Sequence, residues 1–202
     1  MNEKTMQKLT YGLFVLTSND GTKDNGCIIN TAMQLTSNPN KIAIAVNKAN
    51  YSHDIIMKTR KFNVCILSEE AQFSLFQRFG FQSGRTVNKF DGFNDYKKSL
   101  NDLPVITQGV NSYISAWVDE TVDVSTHTLF IATVTDMDIL NDVPSATYSY
   151  YHQHIKPQPQ QPKTAKTAWR CKICGFIYEG EELPADYICP LCKHPASDFE
   201  KI

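Results

Sequence analysis

The chain has 202 residues and a formal net charge of −1 at pH 7. This length exceeds the usual size of a single domain, so we expect two domains. The balanced charge produces no overall field that would attract nucleic acid or an anionic membrane surface. The first eight residues contain no apolar signal core, and no apolar run approaches the ~20 residues that span a bilayer. We therefore expect neither a nucleic-acid partner nor a membrane partner.

Six stretches rich in Val, Ile, Thr and aromatic residues predict a mainly β first domain over residues 1–154. They are residues 9–17, 26–35, 41–46, 62–67, 112–125 and 128–140. One helix is predicted at 54–61 with Ser52 as its cap, and a second at 71–79, where Phe recurs every three residues. Six strands with two interposed helices favour a barrel over a doubly wound sheet.

Two polar segments follow strands of this predicted barrel. Residues 30–37 form a loop rich in hydroxyl and amide groups that ends before Pro39, and residues 47–53 lead into the first predicted helix. Hydroxyls, amides, a lysine and the free backbone amides of a helix start suit a phosphate monoester and the polar edge of a ring. Polar loops at strand ends are common, so these residues alone are also compatible with ordinary loops that bind nothing.

Residues 155–167 separate the two predicted domains. This segment contains three prolines and no acidic residue. Such a composition predicts a solvated, semi-extended linker. It can serve as a passive spacer, and also as a tether that keeps the last domain at high effective concentration near the first.

Residues 168–202 carry four of the six cysteines in two C-x-x-C pairs. The four are Cys171, Cys174, Cys189 and Cys192. Each turn puts two sulfurs on one side of an ion, and a closed all-sulfur site holds zinc or iron with no open position for substrate. The metal then either stabilises the fold or carries one electron at a time. Cys27 and Cys65 lie in apolar stretches and predict reduced, buried thiols in a cytoplasmic protein.

The surroundings of the four cysteines resemble a rubredoxin domain. The features are C-x-x-C-G-x-x-Y at 171–178, a Leu-Pro-x-Asp turn at 183–186, C-P-x-C at 189–192 and a late Phe199. The resemblance implies one iron held by four thiolates that cycles between ferric and ferrous. Lys193 stands where many rubredoxins have Gly, a position that favours positive φ. A zinc ribbon is the alternative, and the aromatic residues Trp169, Tyr178 and Phe199 disfavour it.

The polar segments of the first domain, read together, are similar to the flavin reductase-like, FMN-binding split-barrel family. Residues 84–90 and 127–134 also match landmarks of that family. The resemblance covers residues 5–152 and implies a six-stranded split β-barrel that forms a homodimer. It implies FMN near the dimer interface and hydride acceptance from NADH or NADPH. The residues it assigns to FMN are Asn30, Thr31, Ala32, Gln34, Thr36, Ser37, Asn47, Lys48, Tyr51, Ser52, His53 and Arg85.

Within this set, Lys48 and Arg85 are the preferred phosphate partners, because both are cations. His127 is the candidate catalytic residue. On its predicted strand it could position nicotinamide or stabilise charge on reduced FMN. The alternative, given equal weight, is a structural histidine whose hydrogen bonds all lie within the barrel.

The two resemblances together imply an NAD(P)H-dependent, FMN-containing reductase of the NAD(P)H:rubredoxin oxidoreductase type. Flavin takes two electrons as hydride and a single iron takes one, so the pair would pass electrons onward singly. The expected acceptor is a flavodiiron protein that reduces dioxygen or nitric oxide. One alternative is a flavin reductase that releases reduced flavin or reduces ferric chelates. The other is a non-enzymatic module whose zinc ribbon binds a partner.

Overall fold

The computed structural model describes residues 1–157 and 168–202. The chain divides into two compact units, Met1–His152 and Gln153–Ile202. Of the predicted linker at 155–167, residues 158–167 lie outside the described residues, and Ile155 ends a helical turn. Within the described part of the chain, no helix combines the length and the apolar character needed to cross a membrane.

The larger unit is built mainly from strands. In chain order they are β1 Phe14–Asn19, β2 Asp24–Ile29, β3 Ala32–Ser37, β4 Asn40–Asn47, β5 Lys61–Leu67, β6 Tyr96–Lys98, β7 Pro104–Ile106, β8 Val110–Val124 and β9 His127–Ile139. Its helices are a 3-10 helix Glu3–Lys8, α1 Tyr51–Thr59, α2 Phe73–Gly80 and α3 Tyr148–Tyr150, and a π-helical turn Tyr151–Ile155 follows α3 at the boundary of the units.

Seven of these strands form one antiparallel sheet in the order β2-β1-β5-β8-β9-β4-β3, while β6 and β7 form a separate ribbon. The predicted mainly β fold with interposed helices is confirmed. The sheet has seven strands rather than six, and β2 and β3 stand at its two edges without pairing to close a barrel. The extra strand arises because the predicted strand 26–35 breaks at Asn30 and Thr31. No Gly or Pro marks that break in the sequence.

One apolar cluster holds the sheet together. Leu16, Ile44, Phe62 and Phe130 in this cluster are fully buried. Burying side chains of this size contributes about 1.5–3 kcal/mol each. Cys27 and Cys65 are also buried and free of disulfides, and burial raises the pKa of Cys65 to about 12. The core of the larger unit is therefore hydrophobic, and Cys65 is a neutral thiol at pH 7.

The first helix begins three residues earlier than predicted. The side chain of Asn50 accepts a hydrogen bond from the amide of Ser52 at 3.1 Å, so Asn50 is the N-cap. The prediction of Ser52 as cap was wrong, because Asn caps as well as Ser and already occupies the preceding turn. Ser52 lies instead in the first helical turn, where its Oγ accepts a hydrogen bond from Asn25 Nδ2 at 2.8 Å.

The smaller unit contains three short strands, β10 Ala168–Cys171, β11 Ile177–Glu179 and β12 Phe199–Lys201, in the order β11-β10-β12. A 3-10 helix, Ala196–Asp198, precedes the last strand. Among its described residues, the buried apolar ones are Ala168, Phe199 and the four cysteines. The centre of this unit is therefore mostly sulfur.

Candidate functional site

The four cysteine sulfurs of the smaller unit form a compact cluster, all within 4.8 Å of one another. Cys171 Sγ lies 3.6 Å from Cys192 Sγ, and Cys174 Sγ lies 3.5 Å from Cys189 Sγ. A tetrahedral ion with metal–sulfur bonds of about 2.3 Å needs sulfurs roughly 3.8 Å apart. All four side chains are buried. The sulfurs therefore fit one tetrahedral metal ion and leave no open ligand position.

The first C-x-x-C turn is closed by backbone hydrogen bonds. The amide of Cys171 donates to Phe176 O and the amide of Gly175 donates to Cys171 O, both at 2.8 Å. Gly175 adopts φ 81°, a left-handed conformation that only glycine reaches without strain. Burial raises the pKa of Cys174 to about 12, while a hydrogen bond from the Phe176 amide opposes that rise. Metal binding must displace such thiol protons.

The second C-x-x-C turn repeats this pattern. The amide of Cys189 donates to His194 O at 2.8 Å, and the amide of Lys193 donates to Cys189 O at 2.9 Å. Lys193 adopts φ 63°, so the residue that replaces the usual glycine still takes the left-handed conformation. Burial raises the pKa of Cys192, and the His194 amide opposes that shift as Phe176 does in the first turn. Amide hydrogen bonds to sulfur are one means by which such a site tunes its reduction potential.

In the larger unit, the second polar segment connects β4 to α1 and gathers several predicted site residues. His53 Nε2 lies 2.9 Å from Thr128 Oγ1, and His53 Nδ1 lies 3.2 Å from Asp54 Oδ1. Arg85 forms an ion pair with the same Asp54 at 2.6 Å. His127 is placed at this end because it pairs with Asn47 across β9 and β4.

The two predicted phosphate partners are both paired with carboxylates. Lys48 Nζ lies 2.7 Å from Asp123 Oδ2, and Arg85 holds Asp54. The hydrogen bond from Arg85, followed by that from His53, keeps the pKa of Asp54 below its usual value. A phosphate bound by Lys48 or Arg85 would have to replace a carboxylate already in place.

The first polar segment differs from the predicted loop, because residues 32–37 form an edge strand, and for residues 32–35 this agrees with the strand predicted at 26–35. Along β3, Ala32 lies opposite Ile44 and Ser37 lies opposite Asn40 of β4. The backbone hydrogen bonds of this hairpin outweigh the polar composition that predicted a loop. At about 3.3 Å per residue, Ser37 lies roughly 20 Å from Thr31 along the strand.

The predicted flavin residues are therefore divided within one chain. Thr31 Oγ1 donates to Ala45 O at 2.8 Å, which places the start of the segment near the Asn47 end of β4. Gln34 bonds to Asn40 at the other end of that strand. The residues gathered at the Asn47 end are Asn30, Thr31, Asn47, Lys48, Tyr51, Ser52, His53, Arg85 and His127; those that run away from it are Ala32, Gln34, Thr36 and Ser37.

Two cavities follow the same division. An apolar cleft of about 350 Å³ is lined by Ala32 and Gln34 together with Phe14, Ile114 and Met137, among others. A polar pocket, also of about 350 Å³, lies beside Asn47, Tyr51 and residues 79–83. The first suits a flat apolar ring, and the second suits a polar or charged group.

Lys89, which is not among the predicted site residues, also lines the polar pocket. Its side chain is 3% exposed, and its Nζ donates to the carbonyls of Gly26 at 2.9 Å and Phe79 at 3.0 Å. Burial lowers the pKa of Lys89. Phe90 and Phe93 follow it in the sequence, but no sequence pattern distinguishes this lysine from one on the surface.

His127 is half-buried on β9, and its Nδ1 lies 2.9 Å from Thr126 Oγ1. Either ring nitrogen can carry the proton, so the ring can donate or accept at its other nitrogen. This geometry suits both a residue beside a cofactor and a histidine satisfied by its neighbours.

Comparison with known protein families gives two matches that follow the two units. Residues 6–158 match the flavin reductase like domain, and residues 169–200 match the rubrerythrin, rubredoxin-like domain. The chain belongs to the flavin reductase-like family and carries a rubredoxin-like domain at its C-terminal end. This combination defines an electron-transfer oxidoreductase.

Individual relatives narrow that class. The chain is 37% identical to the high molecular weight rubredoxin of Moorella thermoacetica, over all of both chains. It is 35% identical to a ferric-chelate reductase (NAD(P)H) of Archaeoglobus fulgidus, over 85% of this chain and all of the relative. The FMN-binding protein of Thermus thermophilus shares the fold with a TM-score of 0.60 at 19% identity, over 66% of this chain and 72% of that one.

Proposed function

We propose that this chain passes electrons from NADH or NADPH through bound FMN to one iron, and from there to a redox partner protein. The observation that carries the proposal is the compact cluster of four cysteine sulfurs on the same chain as a flavin reductase-like domain. Flavin accepts two electrons as hydride, and the iron carries one at a time. One hydride carries two electrons, so the single iron would be reduced twice, with the partner protein oxidising it in between, and one proton would be released.

The proposed iron ligands are Cys171, Cys174, Cys189 and Cys192. Their all-thiolate donor set suits iron as well as zinc, and the full-length similarity to a high molecular weight rubredoxin favours iron. The chain's own contribution is to hold the four sulfurs in place, to bury them and to direct amides at them. These features set the potential at which the iron changes charge.

FMN is proposed at the residues that the family resemblance assigns. The Thermus structure with this fold is an FMN-binding protein, and the Archaeoglobus relative is named for NAD(P)H. The assigned residues run from Thr31 to Ser37 along one edge strand and also gather at Asn47, so a complete site needs both regions. We propose that a second copy of the chain brings the two regions together in a homodimer.

Exposed apolar side chains support this homodimer. Met33 on β3 is 62% exposed, Trp117 on β8 is 51% exposed and Met137 on β9 is 55% exposed. Large apolar side chains that strands expose to solvent are typical of surfaces that bind another chain. Met33 and Met137 also line the apolar cleft, which would place the flavin ring close to the contact between copies.

His127 is the proposed group beside the nicotinamide, where its free ring nitrogen would donate or accept a hydrogen bond. The proposed acceptor of the electrons is a flavodiiron protein that reduces dioxygen or nitric oxide, as the family resemblance implies. The cytoplasmic location indicated by the reduced cysteines stays a prediction.

A second candidate function is direct reduction of ferric chelates or release of reduced flavin. The similarity to the ferric-chelate reductase of Archaeoglobus favours it. That activity would need only the flavin domain, so it should survive changes in the four cysteines. A non-enzymatic zinc-ribbon module is the third reading, and it requires a colourless protein with zinc.

The test begins with a visible spectrum and metal analysis of the purified protein, followed by anaerobic NADH. Ferric-thiolate and flavin bands that bleach together support the proposed relay. Cys174→Ser should then abolish electron delivery to a protein acceptor while FMN is still reduced by NADH. Ser197→Ala, an exposed change in the same unit, is the matched control and should deliver electrons as the unchanged protein does. Full delivery by Cys174→Ser would instead favour the second candidate.

A further inference from the structure

We propose that the polar pocket beside Lys89 is a phosphate subsite, and that Lys89 supplies the positive charge that holds the phosphate. The inference rests on the proposed function and adds to it a residue that the family resemblance did not assign. Lys89 replaces Lys48 and Arg85 as the principal phosphate anchor.

The buried lysine has no counter-charge beside it in the part of the chain that the structure describes. Lys89 is 97% buried, and its two carbonyl hydrogen bonds use two of the three donors of an ammonium group. Among residues 1–157 and 168–202, no carboxylate lies within ion-pair distance of its Nζ. A buried cation without a counter-charge is costly, and a bound anion offsets that cost.

The composition of the pocket wall also favours an anion. Among the described residues that line the pocket there is no Asp or Glu, and Lys89 is the one charged residue. The amide side chains of Asn47, Asn50 and Gln82 and the hydroxyl of Ser83 supply neutral hydrogen-bond donors. In the part of the chain that the structure describes, Cys27 is the one titratable group that interacts electrostatically with Lys89, and burial raises the pKa of this thiol, which keeps it neutral.

The first turn of α1 lies at the same pocket. Asn50, its N-cap, and Tyr51, its first residue, both line the pocket. The helix has nine residues, and the amide end of its dipole favours an anion close to its first turn. The helix start and the buried lysine are separated by 38 positions in the sequence, so they supply independent positive potential to one cavity.

The contrast with Lys48 and Arg85 favours Lys89. Both of those cations are already neutralised, by Asp123 at 2.7 Å and by Asp54 at 2.6 Å. Their guanidinium and ammonium groups are also partly exposed to water, which weakens any interaction with phosphate. A phosphate gains more from a dry, unpaired cation than from a solvated pair.

The phosphate can belong to FMN or to the nicotinamide nucleotide, and the experiment separates these sources. Binding of FMN and of riboflavin, which lacks the phosphate, is measured by calorimetry on the full chain loaded with metal. Lys89→Met should weaken FMN binding on the order of 30-fold and leave riboflavin binding unchanged. If flavin binding is unchanged but the KM for NADH rises by a similar factor, the nucleotide phosphate occupies the pocket.

Lys61→Met is the matched control, because Lys61 also donates to a backbone carbonyl, that of Asn101 at 2.9 Å, but lies outside the pocket. This variant should bind FMN and riboflavin as the unchanged protein does. The inference would be overturned if Lys89→Met and the unchanged protein had the same ratio of FMN affinity to riboflavin affinity and the same KM for NADH. Lys89 would then be a structural residue. The inference would also be overturned if Lys48→Met or Arg85→Met lost the preference for FMN over riboflavin while Lys89→Met kept it.

Should Lys89→Met fail to fold, Ala49→Asp provides the same test with the lysine retained. Ala49 is exposed at the pocket and tolerates a longer side chain. The new carboxylate should repel phosphate and weaken FMN binding, while Ala49→Asn, which has the same shape without the charge, should not. Equal FMN binding by the two variants contradicts the inference. If the unchanged protein binds neither FMN nor riboflavin, the proposed function itself fails.

Discussion

The two units of this chain solve the problem of stability in opposite ways. In the larger unit, apolar side chains such as Phe62, Phe130 and Ile44 form a buried core that excludes water. In the smaller unit, cysteines occupy most of the buried positions, so its interior is a ligand set. A domain of this size cannot bury enough apolar surface to fold by itself, and the metal supplies the missing free energy.

Removal of the metal should have the largest effect and should be confined to the smaller unit. Structural metal sites of this kind contribute on the order of 10 kcal/mol to folding. The two tryptophans allow each unit to be observed separately, because Trp117 lies in the larger and Trp169 in the smaller. After chelation under reducing conditions, fluorescence of a Trp117→Phe variant should report unfolding, and that of a Trp169→Phe variant should not. An unchanged Trp169 signal would show that the smaller unit folds without metal.

A core substitution in the larger unit should show the reverse pattern. Phe130 is fully buried, so Phe130→Ala should lower the free energy of unfolding of that unit by about 3–5 kcal/mol. Urea unfolding followed through Trp117 measures the change, while the metal-thiolate absorption should stay constant. Val124→Ala, at a half-exposed position of the same hairpin, should stay within about 0.5 kcal/mol. Comparable losses in both variants would contradict a core centred on Phe130.

A smaller effect is expected at the two left-handed residues of the metal turns. Gly175→Ala should destabilise the metal-loaded unit by about 1 kcal/mol, because a side chain is strained at φ 81°. Lys193→Gly should relieve the corresponding strain at φ 63° and stabilise the unit by up to about 1 kcal/mol. Thermal unfolding followed by metal-thiolate absorption measures both. Shifts of the same sign would show that the two turns are not equivalent.

The smallest effect concerns the surface charges of the larger unit. Because Arg85 and then His53 lower the pKa of Asp54, its carboxylate stabilises the folded state above the unfolded pKa of about 3.9. That contribution is lost as the pH falls through the lower folded pKa. It should be less than 1 kcal/mol, since both partners are half-exposed. Urea unfolding between pH 5 and pH 3 should therefore show a smaller loss in Arg85→Met, and an identical loss would contradict the pairing.

The smaller unit could be predicted almost completely from the sequence, because its ligands are chemically distinctive and lie at fixed spacing. The spacing that identifies Cys171 and Cys192 as metal ligands in the sequence also brings their Sγ atoms to 3.6 Å from each other in the fold. Lys193, which stands where many rubredoxins have Gly, adopts the same left-handed backbone conformation as Gly175 in the other turn.

The larger unit was predictable in its strands but not in its charge pairing. The mainly β pattern follows from composition, whereas the break at Asn30 carries no Gly or Pro to announce it. The pair of Lys48 with Asp123 joins residues 75 positions apart, and a sequence pattern contains no information on such a contact. Lys89 had the appearance of an ordinary surface lysine until the fold placed it inside.

The repeated backbone closures around the four cysteines have a consequence for how the metal enters. The bonds from Cys171 to Phe176 and from Cys189 to His194 make each turn a half-site that contributes two sulfurs. Neither half-site satisfies a tetrahedral ion alone, so a partly filled state gains little from its first two ligands. An ion that reaches one turn alone should therefore be removed readily by a chelator, whereas an ion held by all four sulfurs should resist removal.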